Sequence, residues 1–132
     1  AEKDAGLEKA PGGFPGVQTM LPLLLNLVSE KILSYSDVAR VACAGPARIF
    51  GLYPRKGALA PGSDADLVLV DPARSMHVRN ADQASKAQRT PFDGWRAPAT
   101  PVATLLRGRL IMRDGALAGS PGGLHLKPGR SS

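Results

Sequence analysis

Gly62-Ser63-Asp64-Ala65-Asp66-Leu67-Val68-Leu69-Val70-Asp71-Pro72 is where the chain changes from helical to strand periodicity. Pro61 and Gly62 form the centre of a tight turn. Proline sets φ at the first central position and glycine takes positive φ at the second, the type II pattern. The apolar run 67–70 is short and closed by Asp71-Pro72, so it reads as a strand buried on both faces. Asp64 and Asp66 could suggest a carboxylate pair for acid–base work. A turn running into a strand explains both without chemistry: Asp64 bonds the turn backbone and Asp66 caps the strand entrance.

Upstream the signals are helical. Residues 1–9 are polar, and Pro11-Gly12-Gly13-Phe14-Pro15-Gly16 cannot hold regular structure, so 1–16 is a loop. A helix is expected over 17–32, with Thr19 as N-cap and Pro22 in the first turn, where a missing N–H costs little. Leu21, Leu24, Leu25, Val28 and Ile32 make one apolar stripe, and Leu23 and Leu27 widen it, so more than one side wants cover. Ser34 and Ser36 both offer caps for a second helix, and Ser34 with Asp37 makes a capping box. That helix turns Val38, Val41 and Ala42 inward and stops near Gly45. Pro46 opens a third over 47–50, closed by Gly51.

Downstream of the turn the pattern is strands. A short one is expected at 57–60, and Met76-His77-Val78 pairs beside 67–70. Residues 80–101 are a polar, proline-containing excursion. Residues 102–106 and 109–112, separated by Gly108, form the last strand pair. Residues 114–132 read as a tail, with a short extension at Ala116-Leu117-Ala118.

The bulk properties bound these readings. The 132 residues suffice for one domain. With 43% hydrophobic but 5% aromatic residues, the core is built from Leu, Val, Ile and Ala. The 15 Gly and 12 Pro, concentrated at the ends and in the middle, suggest segments draped over something else. Cys43 is the sole cysteine and sits in apolar Val41-Ala42-Cys43-Ala44, an inert packing position that excludes an intrachain disulfide. No run approaches the roughly 18 apolar residues needed to span a bilayer, and no signal peptide is evident, so a soluble cytoplasmic protein is expected. The net charge of +6 raises nucleic-acid binding. Its basic residues are scattered, and no aromatic side chains interleave as stacking platforms.

Candidate chemistry is sparse. His77 and His125 have no histidine at ligand spacing, and no serine has a partner histidine, so no catalytic or metal-ligating residue is assigned in the chain. Pro11-Gly12-Gly13 lacks the strand and spacing of a dinucleotide fingerprint. It leaves backbone N–H and C=O groups open to a flat polar ligand, or it is a plain surface loop.

Several blocks in order resemble the cyclic amidohydrolases, the branch that holds dihydroorotase, allantoinase and hydantoinase. Residues 10–24, Ala-Pro-Gly-Gly-Phe-Pro-Gly-Val-Gln-Thr-Met-Leu-Pro-Leu-Leu, resemble the segment after the last barrel strand. Pro46-Ala47-Arg48-Ile49-Phe50-Gly51-Leu52, and Lys56-Gly57 followed by Gly62-Ser63-Asp64-Ala65-Asp66-Leu67-Val68, match two further blocks. Ser85-Lys86 with Thr90-Pro91-Phe92-Asp93-Gly94 resembles a block that dihydroorotases and allantoinases carry and hydantoinases usually replace. Thr104 and Gly108-Arg109 fit the closing strand turn. Gly45 stands where the family usually has asparagine, which weakens a helix cap.

The resemblance implies an α/β fold: the C-terminal end of a metal-dependent (β/α)8 TIM-like barrel over 1–51, C-terminal strands of a small β-sandwich over 52–115, and a tail over 116–132. It implies a dihydroorotase-like hydrolase of pyrimidine metabolism, with allantoinase and hydantoinase as neighbours. A binuclear zinc site would hold the hydroxide that attacks the ring amide, and an aspartate would shuttle the proton. Those ligands are expected upstream of Ala1, so this segment alone is expected to be inactive. The remaining barrel portion would be its partner, with a small cyclic amide as substrate, a homo-oligomeric state, and no nucleic acid or membrane. In the family the loop at Pro11, Gly12 and Gly13 lies over the metals and touches the substrate ring through its backbone. The alternative is a non-catalytic amidohydrolase-like scaffold that binds a partner protein.

Overall fold

Gly16, not Thr19, opens the first helix. The computed structural model describes residues 13–128, and helix α1 spans Val17–Ser29. Gly16 offers no side-chain cap; its carbonyl instead accepts from the Met20 N–H at 2.9 Å and the Thr19 N–H at 3.2 Å. Thr19 is thus inside the helix and buried, its hydroxyl donating back to the Gly16 carbonyl. Pro22 falls beyond the first turn, where its ring is buried against the rest of the fold. The helix stops three residues short of Ile32, which is exposed, as Lys31 takes positive φ.

Ser34 caps helix α2 (Tyr35–Ala39) through the expected capping box with Asp37. The chain does not break at Gly45. A π-turn over Arg40–Ala44 runs directly into helix α3 (Gly45–Ile49), with the Gly45 N–H bonded to the Arg40 carbonyl. A side chain at 45 would stand 2.9 Å from that carbonyl oxygen, so the wide turn suits glycine. Gly45 therefore sits in continuous helix and weakens no cap.

The turn before the first strand is as expected: Ser63 N–H bonds to the Ala60 carbonyl at 3.0 Å, and Gly62 takes φ +89°. Residues 57–60 form no strand, because no described strand lies beside them to complete a ladder. Strand β1 (Leu67–Asp71) pairs antiparallel with β4 (Thr100–Leu106), which pairs with β5 (Arg109–Arg113) and then β6 (Ala116–Leu117), giving the order β1-β4-β5-β6. Pro101, without an N–H, sits opposite Val70 where the register shifts. Among the described residues β1 is at the edge of its sheet, with Val68 and Leu69 49% and 48% exposed, where a strand buried on both faces was expected. Strand β2 (Met76–His77) pairs with β3 (Arg96–Ala97) in a separate two-stranded sheet, not beside β1.

Both tight hairpins carry positive φ at two successive positions, Arg107-Gly108 at +48° and +76° and Asp114-Gly115 at +47° and +82°. These are the type I′ values that match strand twist. The buried apolar side chains are small, Leu25 apart: Val38, Ala47, Val78, Ala97, Ala99 and Ala103.

Gly57 is closely enclosed by the helix backbone. It has φ +75°, and a Cβ there would lie 2.6 Å from the Cys43 carbonyl oxygen and 2.8 Å from the Ala47 Cβ. Gly57→Ala combines left-handed strain with overpacking and should cost about 2–4 kcal/mol. Urea unfolding of the purified protein checks this, and an unchanged midpoint would show that the 56–58 loop docks differently.

Candidate functional site

Two places bring polar groups together. The first surrounds the start of α1. Pro11 and Gly12 of the sequence-derived substrate loop lie outside the described residues. Gly13 is exposed with φ +63°, and no atom lies within 4 Å of the place a Cβ would occupy. A side chain at this position would meet no neighbour among the described residues, but the positive φ favours glycine.

Five residues on, the Gln18 amide spans to a distant part of the chain. Its Nε2 donates to the Asp82 carbonyl and its Oε1 accepts from the Ala84 N–H, both at 2.9 Å. The segment it grips is internally stapled. Asn80 N–H donates to the Asp93 carboxylate at 2.7 Å, and Thr90 N–H to the Asn80 side-chain oxygen at 2.8 Å. Val78 exchanges backbone bonds with Gly94 and Trp95, and the Phe92 and Trp95 rings meet at 6.1 Å. Helix α1 also packs against β3. Gln18 was missed in sequence because a glutamine on an exposed helix face carries no long-range signal.

The second place is ionic. The Lys56 ammonium, 16% exposed, bonds the Asp64 carboxylate at 2.9 Å and makes a short bond to Asp66. Arg55 reaches Asp64 at 3.2 Å. The other Asp66 oxygen accepts the Arg107 N–H at 2.8 Å, and the Ala65 carbonyl accepts the Gly108 N–H at 2.8 Å. Both carboxylates are thus engaged in the scaffold, but Asp64 bonds the Lys56 and Arg55 side chains and not the turn backbone as expected, and Asp66 reaches the Arg107 N–H of the distant hairpin. Burial alone would lower the Lys56 pKa, but Asp66 and Asp64 outweigh it and hold it above its ordinary value. The Lys56 hydrogen bond lowers Asp64. Burial pushes Asp66 up, and the bonds from Lys56 and the Arg107 N–H more than reverse it.

An open cleft of ≈ 410 Å³ beside this cluster is lined by Cys43, Ala47, Phe50, Leu59 and Leu67. Cys43 is exposed there rather than packed, since the π-turn places it on the cleft wall. His77 is exposed on β2, and His125 is exposed near the end of the described chain. Among the described residues no three His, Cys, Asp or Glu side chains could hold a metal ion, and no helix is long and apolar enough to cross a membrane.

Comparison with known proteins places these features. The profile described as "Amidohydrolase family" matches residues 15–111. A dihydroorotase of Methanothermobacter thermautotrophicus is 44% identical over 114 residues, covering 86% of this chain and 26% of the relative. A D-phenylhydantoinase of Escherichia coli is 37% identical over 115 residues, covering 86% and 25%. The solved D-hydantoinase (dihydropyrimidinase) from Thermus sp. superposes with a TM-score of 0.82 at 31% identity, over 89% of this chain and 26% of that one. The chain spans about a quarter of the length of these relatives.

The ionic cluster sets a pH window. Asp64 and Asp66 are lowered in the folded state, so their contribution is present above about pH 4 and lost as pH falls through the lowered values. Lys56 is raised, so its contribution is complete below about pH 10 and lost as pH rises through the raised value. The melting temperature should be flat between these limits. Lys56→Met should lower it at neutral pH by roughly 5 °C and start the acid fall at higher pH. Calorimetry across pH checks both, and an acid limb identical in the variant and the parent would contradict the assignment.

Proposed function

This chain belongs to the amidohydrolase family, and from that premise we propose that it is part of a metal-dependent cyclic amidohydrolase that opens a ring at an amide bond. The observation that carries this is an identity of 44% to a dihydroorotase and 37% to a D-phenylhydantoinase, in each case over 86% of this chain. A scaffold role is the weaker reading, since these named relatives are hydrolases. Dihydroorotate is the substrate we favour. The identity to two dihydroorotases, 44% and 47%, exceeds that to the hydantoinases, and the stapled 90–94 segment carries the block hydantoinases usually replace. Residues 1–51 would close the barrel, residues 52–115 would supply sandwich strands, and residues 116–132 would be a tail.

The described residues do not form the metal centre. Zinc, bound by residues outside this segment, would polarise the ring carbonyl and supply the nucleophile. The work of this segment is binding. Peptide groups of Pro11, Gly12 and Gly13 hydrogen-bond the ring amide and hold its carbonyl at a fixed angle. Because Gly13 adds no side chain, a flat ring can lie directly on the backbone.

In the full-length protein, dihydroorotate should be hydrolysed with a kcat/KM at least about tenfold above hydantoin and allantoin, a margin of about 1.4 kcal/mol in transition-state binding. Chelation should abolish the activity and zinc restore it. Turnover of hydantoin in preference to dihydroorotate would reassign the substrate, and no turnover of any cyclic amide by the zinc-loaded protein would sink the enzymatic reading.

A further inference from the structure

We infer that Gln18 is a positioning residue through which the 80–95 segment sets the pose of the Gly13 loop, and hence the fit of the substrate ring. The inference rests on the substrate-loop reading above. Gln18 lies in the first turn of α1, five residues after Gly13. Both ends of its amide are used, one as donor and one as acceptor, on peptide groups two residues apart. Two bonds from one planar group fix rotation as well as distance, so the helix start cannot swivel against the 82–84 backbone.

What Gln18 holds is stiff. Asn80 is tied to Asp93 and Thr90, and Val78 to Gly94 and Trp95. Buried Thr19 and Pro22 lie beside Val78 and Gln83 under the same contact. On the other side, Gly13 has open space around it and an unrestricted residue type. Gly13 is followed within five residues by a doubly bonded helix start, and the direction in which the chain leaves that start sets where Gly13 stands. The 80–95 segment therefore reaches the ring without touching it.

Gln18 is exposed, so truncation opens no cavity. In the full-length protein, Gln18→Ala should raise KM for the ring substrate roughly three- to tenfold, with kcat changed less than about threefold, as expected when two hydrogen bonds that orient a binding loop are lost. Amide hydrogen exchange at residues 13–16 and 82–84 should quicken together. Gln18→Glu, which keeps the acceptor for the Ala84 N–H and loses the donor to Asp82, should fall between. Faster exchange at 82–84 with KM unchanged would overturn the inference. Gly13→Val separates the two claims: a raised KM there with none in Gln18→Ala leaves the loop reading standing and removes Gln18. An unchanged KM in both removes the loop reading and the inference with it.

Discussion

An ammonium drawn partly out of water needs opposite charge and hydrogen bonds around it, and Lys56 finds both at the junction of three chain segments. Its partners are Asp64 and Asp66, on the turn that leads into β1. Asp66 then passes the constraint on by accepting the Arg107 N–H, at the head of the β4–β5 hairpin. Arg107 carries a positive φ that a non-glycine residue adopts at some cost, and the bonds at Asp66 and Ala65 hold that turn in place. A fixed turn fixes the register of a hairpin, and a one-residue slip would turn every side chain over. The β4–β5 hairpin is thus tied to a charge cluster at the entrance of β1, with Asp66 and Arg107 41 residues apart.

Most of this was legible wherever the signal is local. Pro61-Gly62 dictated its turn, Ser34 with Asp37 its cap, and Gly108 its hairpin, because each depends on the φ or hydrogen-bond chemistry of neighbouring residues. Reading failed where the partner is distant. The run at 67–70 has the composition of a doubly buried strand, and in this segment, a quarter of its relatives' length, β1 is paired on one side only with Val68 and Leu69 half-exposed. Composition records what a strand is suited to and not which neighbours stand beside it. Met76 and His77 went to the wrong partner for the same reason, since pairing with Arg96 and Ala97 is settled by the return path of residues 80–95. Gly45 misled differently: glycine before proline ordinarily marks a stop, and here a wide turn absorbs both without breaking the helix.

The candidate site divides along the same line. Pro11-Gly12-Gly13 could be singled out because a glycine cluster advertises open backbone. Asp64 and Asp66 could be discounted as catalysts because a turn explains them, and the structure agrees by spending their oxygens on Lys56 and Arg107. Gln18 left no trace, since both of its partners are backbone groups and backbone carries no residue type. A side chain bonded to peptide groups more than 60 residues away is invisible to any reading of pattern.

That asymmetry bears on how such a segment can vary in substrate choice. The motifs that identify the family, from Pro46 to Val70, are committed to packing: Gly57 has no room for a methyl group and Lys56 no alternative partners. Changing them changes the fold before it changes the chemistry. Residues 80–95 lie outside the four-stranded sheet, and although Asn80, Thr90 and Asp93 staple them internally, Gln18 of α1 meets them through the backbone groups of Asp82 and Ala84, which survive substitution. This segment includes Thr90–Gly94, part of the block that resembles one dihydroorotases carry and hydantoinases usually replace. If the glycine loop binds the ring as we propose, a change within 80–95 that shifts the Asp82 and Ala84 backbone would be passed through Gln18 to the start of α1, while Lys56, Asp64 and Asp66 keep their own bonds.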